Sequence, residues 1–232
     1  MVVEFLRRVL GISRAKGASF PRCCTVCGYS GRFQATGRPR RIDGRCPKCG
    51  SAERHRLLAL WLGEHGQFLR RADTLHFAPE VGLTRLLKTR VGHYRSADLE
   101  PGQADMTLNI EAIAAPDMSW DCVVCSHVLE HVDDKKALKE IYRVLKPGGV
   151  ALIMLPIIEG WHQTYENAEV TTPKARQLHY GQSDHLRYYG ADVRDRIRAA
   201  GFVLDEFTAE GPTVPTYALQ RGEKLFIARR PG

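Results

Sequence analysis

The sequence predicts an α/β protein: an open, mainly parallel sheet covered by helices, preceded by a small module held together by cysteine. Three observations predict it. After residue 72, short apolar strands alternate with amphipathic helices, the pattern of a parallel sheet built from crossover units. "VALIMLP" at 150–156 is apolar throughout, as a strand covered on both faces must be. Four of the seven cysteines fall in two C-x-x-C pairs within the first fifty residues.

The elements follow in order. "MVVEFLRRVLG" is a short amphipathic opening without a secretory cleavage pattern, and no run of 18 apolar residues exists to span a membrane. The reading places the chain in the cytoplasm and excludes a membrane partner. Residues 1–50 form the cysteine module. "CTVC" (Cys24, Cys27) and "CPKC" (Cys46, Cys49) are separated by eighteen residues, a spacing that fits four thiolates on one tetrahedral zinc. Each pair is followed by glycine, which enters the φ > 0 turn that such a half-site needs. Disulfides do not suit a cytoplasmic chain. Cys23 could replace Cys24 as a ligand, though Cys24 gives the better spacing. With four protein ligands the zinc would be structural, stapling a segment too small to fold on apolar burial alone. Cys122 and Cys125, three apart in an apolar strand, point to opposite faces and read as buried core thiols.

Residues 51–72 read as a connecting helix, with Ser51 as its cap, Leu57, Leu58, Trp61 and Leu62 at helical spacing, and Arg54, His55 and Arg56 on a basic face. Residues 73–232 carry the larger domain. "TLHFA" reads as a strand, "VGLTRLLKTR" as a helix, "HYRSADL" as a strand and "DMTLNI" as a short extended piece. "WDCVVCSHVLEH" reads as a buried strand running into a helix start. "DDKKALKEIYRVLKPGG" is an amphipathic helix that Asp133 can cap and that Pro147-Gly148-Gly149 ends. "GADVRDRIRAAGF" is a further helix, and "FVLDEFTAE" and "EKLFIARR" are closing strands.

The run "HFAPE…SADLE…DMTLNIE…WDCVVCSHVLEHVDDKKALKEIYRVLKPGGVALIMLP" resembles the core of class I S-adenosylmethionine-dependent methyltransferases, over roughly residues 73–230. It is most similar to the broad type 11-like group, with "LEH" after the fourth strand and "RVLKPGG" before the fifth. The resemblance implies a Rossmann-like seven-stranded sheet ending in a reversed hairpin, with S-adenosylmethionine as cofactor. The stretch ending in "CPKCGSAERHR" also resembles a subset of bacterial methyltransferase-like proteins of unassigned acceptor.

The family's first loop carries an acidic residue and three glycines. Here His76 stands at the acidic position, Ala78 and Glu80 at two glycine positions, and Gly82 at the third, with Pro79 between. Nothing at 76–82 could cradle a pyrophosphate, which argues against a nicotinamide oxidoreductase. S-adenosylmethionine has no phosphate, and Glu80 could accept from its ammonium. Asp98, beside Leu99, ends the second strand where a carboxylate takes the ribose hydroxyls. The resemblance puts Asp105, Asn109 and Ile110 at the adenine, and Ser126 and His127 beside the sulfonium. His131 reads as a packing residue.

Residues 157–190 form an insertion rich in His, Tyr, Gln, Asp and Glu that covers the acceptor side. Its candidate base is His185, with Asp184 or Glu166 orienting it or the acceptor, and His127 is the other catalytic candidate. Residues 1–72 hold 15 of the 34 Lys+Arg but only 4 of the 26 Asp+Glu, so a polyanion could bind there. The reading is a methyltransferase whose acceptor is a small molecule, a peptide or RNA, its zinc ribbon aiding recognition. The alternatives are an RNA methyltransferase using the basic ribbon, and a non-catalytic binding protein on a degenerate scaffold.

Overall fold

The computed structural model describes residues 21–37 and 40–232; the amphipathic opening stretch lies outside the described residues. The described residues begin with four short strands in two antiparallel pairs: β1 (Arg22–Cys23) with β2 (Ser30–Gly31), and β3 (Gln34–Thr36) with β4 (Arg41–Arg45). Helix α1 (Glu53–His65) follows, extended by a 3-10 turn over Gly66–Arg71. Then come β5 (Asp73–Phe77), α2 (Val81–Lys88), β6 (His93–Asp98), β7 (Met106–Thr107) and β8 (Trp120–Ser126). After β8 the "LEH" segment forms a 3-10 turn over Leu129–His131, where the sequence suggested a helix start. The helix proper, α3 (Asp134–Val144), begins three residues later, and the Asp133 side chain caps it by accepting from Lys136 N. Strand β9 (Leu145–Met154) follows at once, so the helix stops before Pro147 rather than at it.

The insertion folds as β10 (Tyr165–Glu166), α4 (Pro173–Tyr180) and β11 (Arg187–Tyr188), with β10 and β11 paired antiparallel. Helix α5 (Val193–Ala199), β12 (Val203–Thr208), the short α6 (Thr213–Tyr217) and β13 (Lys224–Arg229) complete the chain.

Seven strands form one sheet in the order β12-β13-β9-β8-β5-β6-β7. The five strands β9-β8-β5-β6-β7 run parallel, and β13 enters antiparallel between β9 and β12. This is the Rossmann-like sheet with a reversed closing hairpin that the sequence predicted. Strand order reverses at β5, so the carboxyl ends of β5 and β8 border the crevice where open α/β sheets take ligands.

Each face of the sheet has its own core. Val123, Cys125, Ala151 and Ile153 pack against Ala137, Leu138, Ile141, Val193 and Ile197 of α3 and α5. Cys122, Val124, Val150 and Leu152 pack against Leu57, Leu58, Leu62, Leu83 and Leu87 of α1 and α2. Cys122 and Cys125 therefore lie on opposite faces, both fully buried, as residues three apart in a strand must.

The connecting helix differs from its sequence reading in one respect. His55 and Arg56 are buried, and they form no basic surface with Arg54. The Arg56 guanidinium, with no solvent exposure, donates to the carbonyls of Asp43, Gly44, Ser51, Tyr217 and Ala218. It also lies 4.9 Å over the Phe33 ring. One planar cation thus ties the cysteine module, α1 and the turn after α6 together. Ser51 is not the helix cap; its hydroxyl turns to Cys24 Sγ at 3.3 Å, and Ala52 occupies the N-cap position.

Replacing Arg56 with Met leaves several buried carbonyls without donors. It should cost about 3–5 kcal/mol, read as a lower urea midpoint, whereas Arg54→Met should cost far less. Equal effects from the two would show that Arg56 is not the clamp.

Candidate functional site

The four cysteines of the N-terminal module converge. Cys24 Sγ lies 3.7 Å from Cys49 Sγ, Cys27 Sγ lies 3.8 Å from Cys46 Sγ, and all four are within 4.8 Å of one another. A tetrahedron with metal–sulfur bonds of about 2.3 Å has edges of about 3.8 Å, so the thiols sit at metal-ligand separation. The two half-sites repeat one geometry. Gly28 (φ 70°) donates to Cys24 O and Gly50 (φ 74°) donates to Cys46 O, each completing the left-handed turn expected after the second thiol. Cys23 lies in β1 outside the cluster.

The loop after β5 meets the cysteine module through α1. Ala78 takes φ 48° and donates its N–H to Ala97 O, an αL conformation that glycine adopts without strain. His127, at the end of β8, takes φ 55°. Two strained non-glycine residues thus face the crevice from adjacent strands, as residues at functional sites often do.

Glu80 is already partnered. Arg54 from α1 grips its carboxylate with two donors, His55 Nε2 lies 3.0 Å away, and Ser126 Oγ donates at 3.4 Å. Burial would raise the Glu80 pKa, but the contacts from His55 and Arg54 outweigh it and hold the group well below the usual carboxylate range. His55 is oriented by Ala52 N, which donates to its Nδ1. Gly82, expected at the cofactor, is needed for packing instead. A Cβ there would come within 2.7 Å of His55 Nδ1.

His76, at the position where the family carries an acid, is buried and bonded through Nδ1 to the Tyr94 hydroxyl at 2.9 Å. Desolvation pushes its pKa down to about 4. Asp98 ends β6 with Oδ1 accepting from Glu100 N, and Leu99 beside it is exposed. Asn109 Oδ1 accepts from Glu111 N, and Ile110 is buried. Asp105, exposed just before β7, accepts from Ser96 N and Oγ of β6. Pro79 lies in the same first loop, half-buried, between Ala78 and Glu80.

Beside this crevice is a cleft of about 770 Å³ lined by Arg41, Glu53, Arg54, His127, Glu130, His131, Gln182, His185, Glu223 and Lys224, with Leu155, Pro156 and Ile157 among its few apolar walls. The predicted candidates His127 and His185 both face it. Neither of the carboxylates offered as orienting His185 bonds to it. Asp184 Oδ2 lies 3.2 Å from His131 Nδ1, not on His185, and Glu166 accepts from Arg187 and Arg196. His131, read as a packing residue, lines the cleft wall with its ring 4.7 Å from that of His185. Burial lowers the His185 pKa, opposed by the Glu130 charge.

The insertion is locked rather than loose. Arg187 donates to Leu129 O and Val132 O, Tyr189 Oη donates to Leu129 O and Asp134, and Leu186 N donates to Glu130 O. These bonds press His185 against the turn that carries Glu130 and His131.

Sequence reasoning missed three members of the site. Arg54 and His55 reach Glu80 across 25 or more positions, which no local spacing reveals. Glu223, from the closing hairpin, lines the cleft with its carboxyl pushed up to about 7 by burial.

Residues 79–153 match the family described as a methyltransferase domain. Over 131 residues the chain is 35% identical to the ubiquinone/menaquinone biosynthesis C-methyltransferase UbiE of Escherichia coli. That match covers 50% of this chain and 51% of that protein, so the chain spans about half the length of the curated relatives it matches. Among solved structures, the fold resembles the Burkholderia thailandensis 1,6-didemethyltoxoflavin-N1-methyltransferase with bound S-adenosylhomocysteine, with a TM-score of 0.52 at 18% identity over 76% of this chain and 77% of that one. An S-adenosylmethionine dependent methyltransferase from Mesorhizobium loti gives 0.51 at 14% identity over 70% and 92%. The fold is therefore that of these Rossmann-like methyltransferases. Among the described residues, no helix is long and apolar enough to cross a membrane.

His76 gives the protein an acid-sensitive core. Its pKa is depressed in the folded state from 6.5 to about 4, so the unfolded chain binds a proton that the native chain refuses. Stability present above pH 6.5 is lost as the pH falls toward 4, by up to about 3 kcal/mol. His76→Phe should flatten urea-unfolding free energy across that window, and an unchanged slope would assign the acid limb to other groups.

Proposed function

We propose that this chain is an S-adenosylmethionine-dependent methyltransferase acting on a polar acceptor held in the cleft of His127, His131 and His185. The observation that carries the reading is positional. The segment matching the methyltransferase domain, 79–153, contains Glu80 of the loop after β5, Asp98, and the end of β8 with the turn whose His127, Glu130 and His131 line the cleft. Cofactor crevice and acceptor cleft are then neighbours, as an in-line methyl transfer requires.

In this reading Glu80 and Arg54 serve the two ends of the cofactor's amino-acid tail. The carboxylate takes the ammonium and the guanidinium takes the carboxylate, so the internal pair opens into two charge-assisted contacts. Asp98 Oδ2, which has no partner among the described residues, would take a ribose hydroxyl. Leu99, exposed beside Asp98, together with Asn109 and Ile110, would border the adenine.

The cleft's lining argues for the acceptor's character. Charged and hydrogen-bonding side chains dominate it, which suits a polar molecule better than a long apolar chain. His127, His185 and Glu223 are the groups within it that could remove an acceptor proton.

The thiols Cys24, Cys27, Cys46 and Cys49 would hold a structural zinc whose role is to fold the module that delivers α1, and with it Arg54, to the cofactor loop. A polyanion-binding role for this module has less support. Arg22 pairs with Asp43, Arg41 with Glu53 and Arg54 with Glu80, while Arg56 is buried.

Titration calorimetry with S-adenosylhomocysteine tests the cofactor reading. The full chain should bind it. Asp98→Ala should weaken binding by about 10–100-fold, the loss of one charge-assisted contact, and Arg54→Ala by a similar factor. No binding by the intact chain would overturn the enzyme reading and favour a degenerate scaffold.

Metal analysis tests the ribbon. Purified protein should retain zinc in the thiol cluster, and Cys46→Ser should release it and melt the N-terminal module at lower temperature. An intact module that holds no metal, or holds iron, would overturn the assignment.

A further inference from the structure

The cleft wall contains a second convergence of metal-binding side chains. Glu130, His131 and His185 each offer a ligand atom, and these atoms all lie within 4.8 Å of one another. Two come from the turn after β8 and the third from the returning insertion, so the set exists only in the folded chain.

Glu130 has no solvent exposure, yet among the described residues neither of its carboxylate oxygens accepts a hydrogen bond. His127 Nδ1 comes within 3.2 Å of Oε1 but out of hydrogen-bonding alignment. His185 is 4% exposed, and its Nδ1 has no partner either. Burying a carboxylate without donors costs several kcal/mol, and proteins tolerate it where a cation completes the site. The backbone around these groups is fixed, since Leu129 O and Glu130 O both accept from the insertion.

His131 carries the mark of an oriented ligand. Asp184 Oδ2 lies 3.2 Å from its Nδ1, out of hydrogen-bonding alignment as it stands but near enough for a small ring rotation to make the bond, which would hold the proton on that nitrogen and free Nε2 for a metal. A carboxylate behind a histidine in this way is the usual outer support of a metal-bound imidazole.

We propose that Glu130, His131 and His185 bind a divalent zinc-type cation at the acceptor wall of the cleft. Two imidazoles and one carboxylate make a three-ligand zinc set that leaves a coordination position open. All three residues line the cleft, so an oxygen of a hydroxyl-bearing acceptor held there could occupy that position. Ligands bound at about 2.1 Å sit about 3.4 Å apart, so small side-chain rotations close the set around the ion.

The use of the metal rests on the methyltransferase reading; its binding does not. In that use the acceptor hydroxyl loses its proton to Glu223, which lines the same cleft. The oxygen then forms the O–CH3 bond as the CH3–S bond of the sulfonium breaks, leaving a neutral thioether.

Zinc titration of the metal-stripped full chain, without cofactor, tests the site. Two equivalents should bind: one to the thiols and one here. Cobalt distinguishes them, because only the thiol site gives intense sulfur-to-metal charge-transfer absorption. His131→Ala and His185→Ala should each remove the second equivalent while keeping the charge-transfer band. Asp184→Asn, at an exposed position, should weaken the second equivalent by about 10–100-fold. His131 and Asp184 are both partly exposed, so these variants keep the test valid even if His185→Ala unfolds. The proposal is overturned if the chain binds no metal beyond the thiol site, or if the second equivalent survives in His131→Ala with unchanged affinity. Failure of S-adenosylhomocysteine to bind would sink the methyltransferase reading but leave this count intact.

Discussion

The position of α1 governs both halves of this protein, and a buried guanidinium sets it. Arg56 gives its donors to five carbonyls from the cysteine module, the helix start and the turn before β13. Among the described residues no carboxylate bonds to it, so peptide dipoles and the face of the Phe33 ring solvate its charge. Two residues earlier on the same helix, Arg54 reaches the loop after β5. The module's contribution to the crevice is therefore transmitted by one rigid turn of helix. This explains why a thiol-clipped segment precedes a sheet that has its own two cores. The segment orients the helix that completes the first loop.

That loop replaces backbone permissiveness with electrostatics. Ala78 holds the αL turn that glycine would adopt without strain, and Glu80 anchors the following helix start through Arg54, His55 and Ser126. Gly82 remains glycine because His55 occupies the space of its side chain. A ligand with a zwitterionic tail is suited to such a loop, since it can exchange one internal ion pair for two external ones.

The cleft beside it draws on distant parts of the chain, including Arg41 of the cysteine module and Glu53 and Arg54 of α1. The turn after β8 supplies His127, Glu130 and His131, the insertion supplies His185, and the closing hairpin supplies Glu223. Arg187, Tyr189 and Leu186 bind the insertion to the backbone of that turn, so its side chains are held at fixed separations. An insertion rich in polar residues thus reads in three dimensions as a wall with one face committed to structure. Glu166 illustrates the committed face. Its carboxylate joins Arg187 and Arg196 and never reaches a histidine.

Local regularities were legible without coordinates. Strand alternation, the all-apolar fifth parallel strand, the Asp133 cap and the two glycine-terminated thiol pairs each depend on residues within a few positions of one another, where spacing alone fixes direction. The thiol convergence followed from them, and the seven-stranded sheet with its reversed hairpin followed from the family resemblance. The partners of charged side chains were not legible. Arg56 looked like surface and is core, Asp184 lies beside His131 and not on its neighbour His185, and Asp105 bonds to Ser96. Long flexible or ionisable side chains choose partners by proximity in space and by the need to satisfy charge on burial. Sequence separation carries no trace of either, so only the packed fold could decide them.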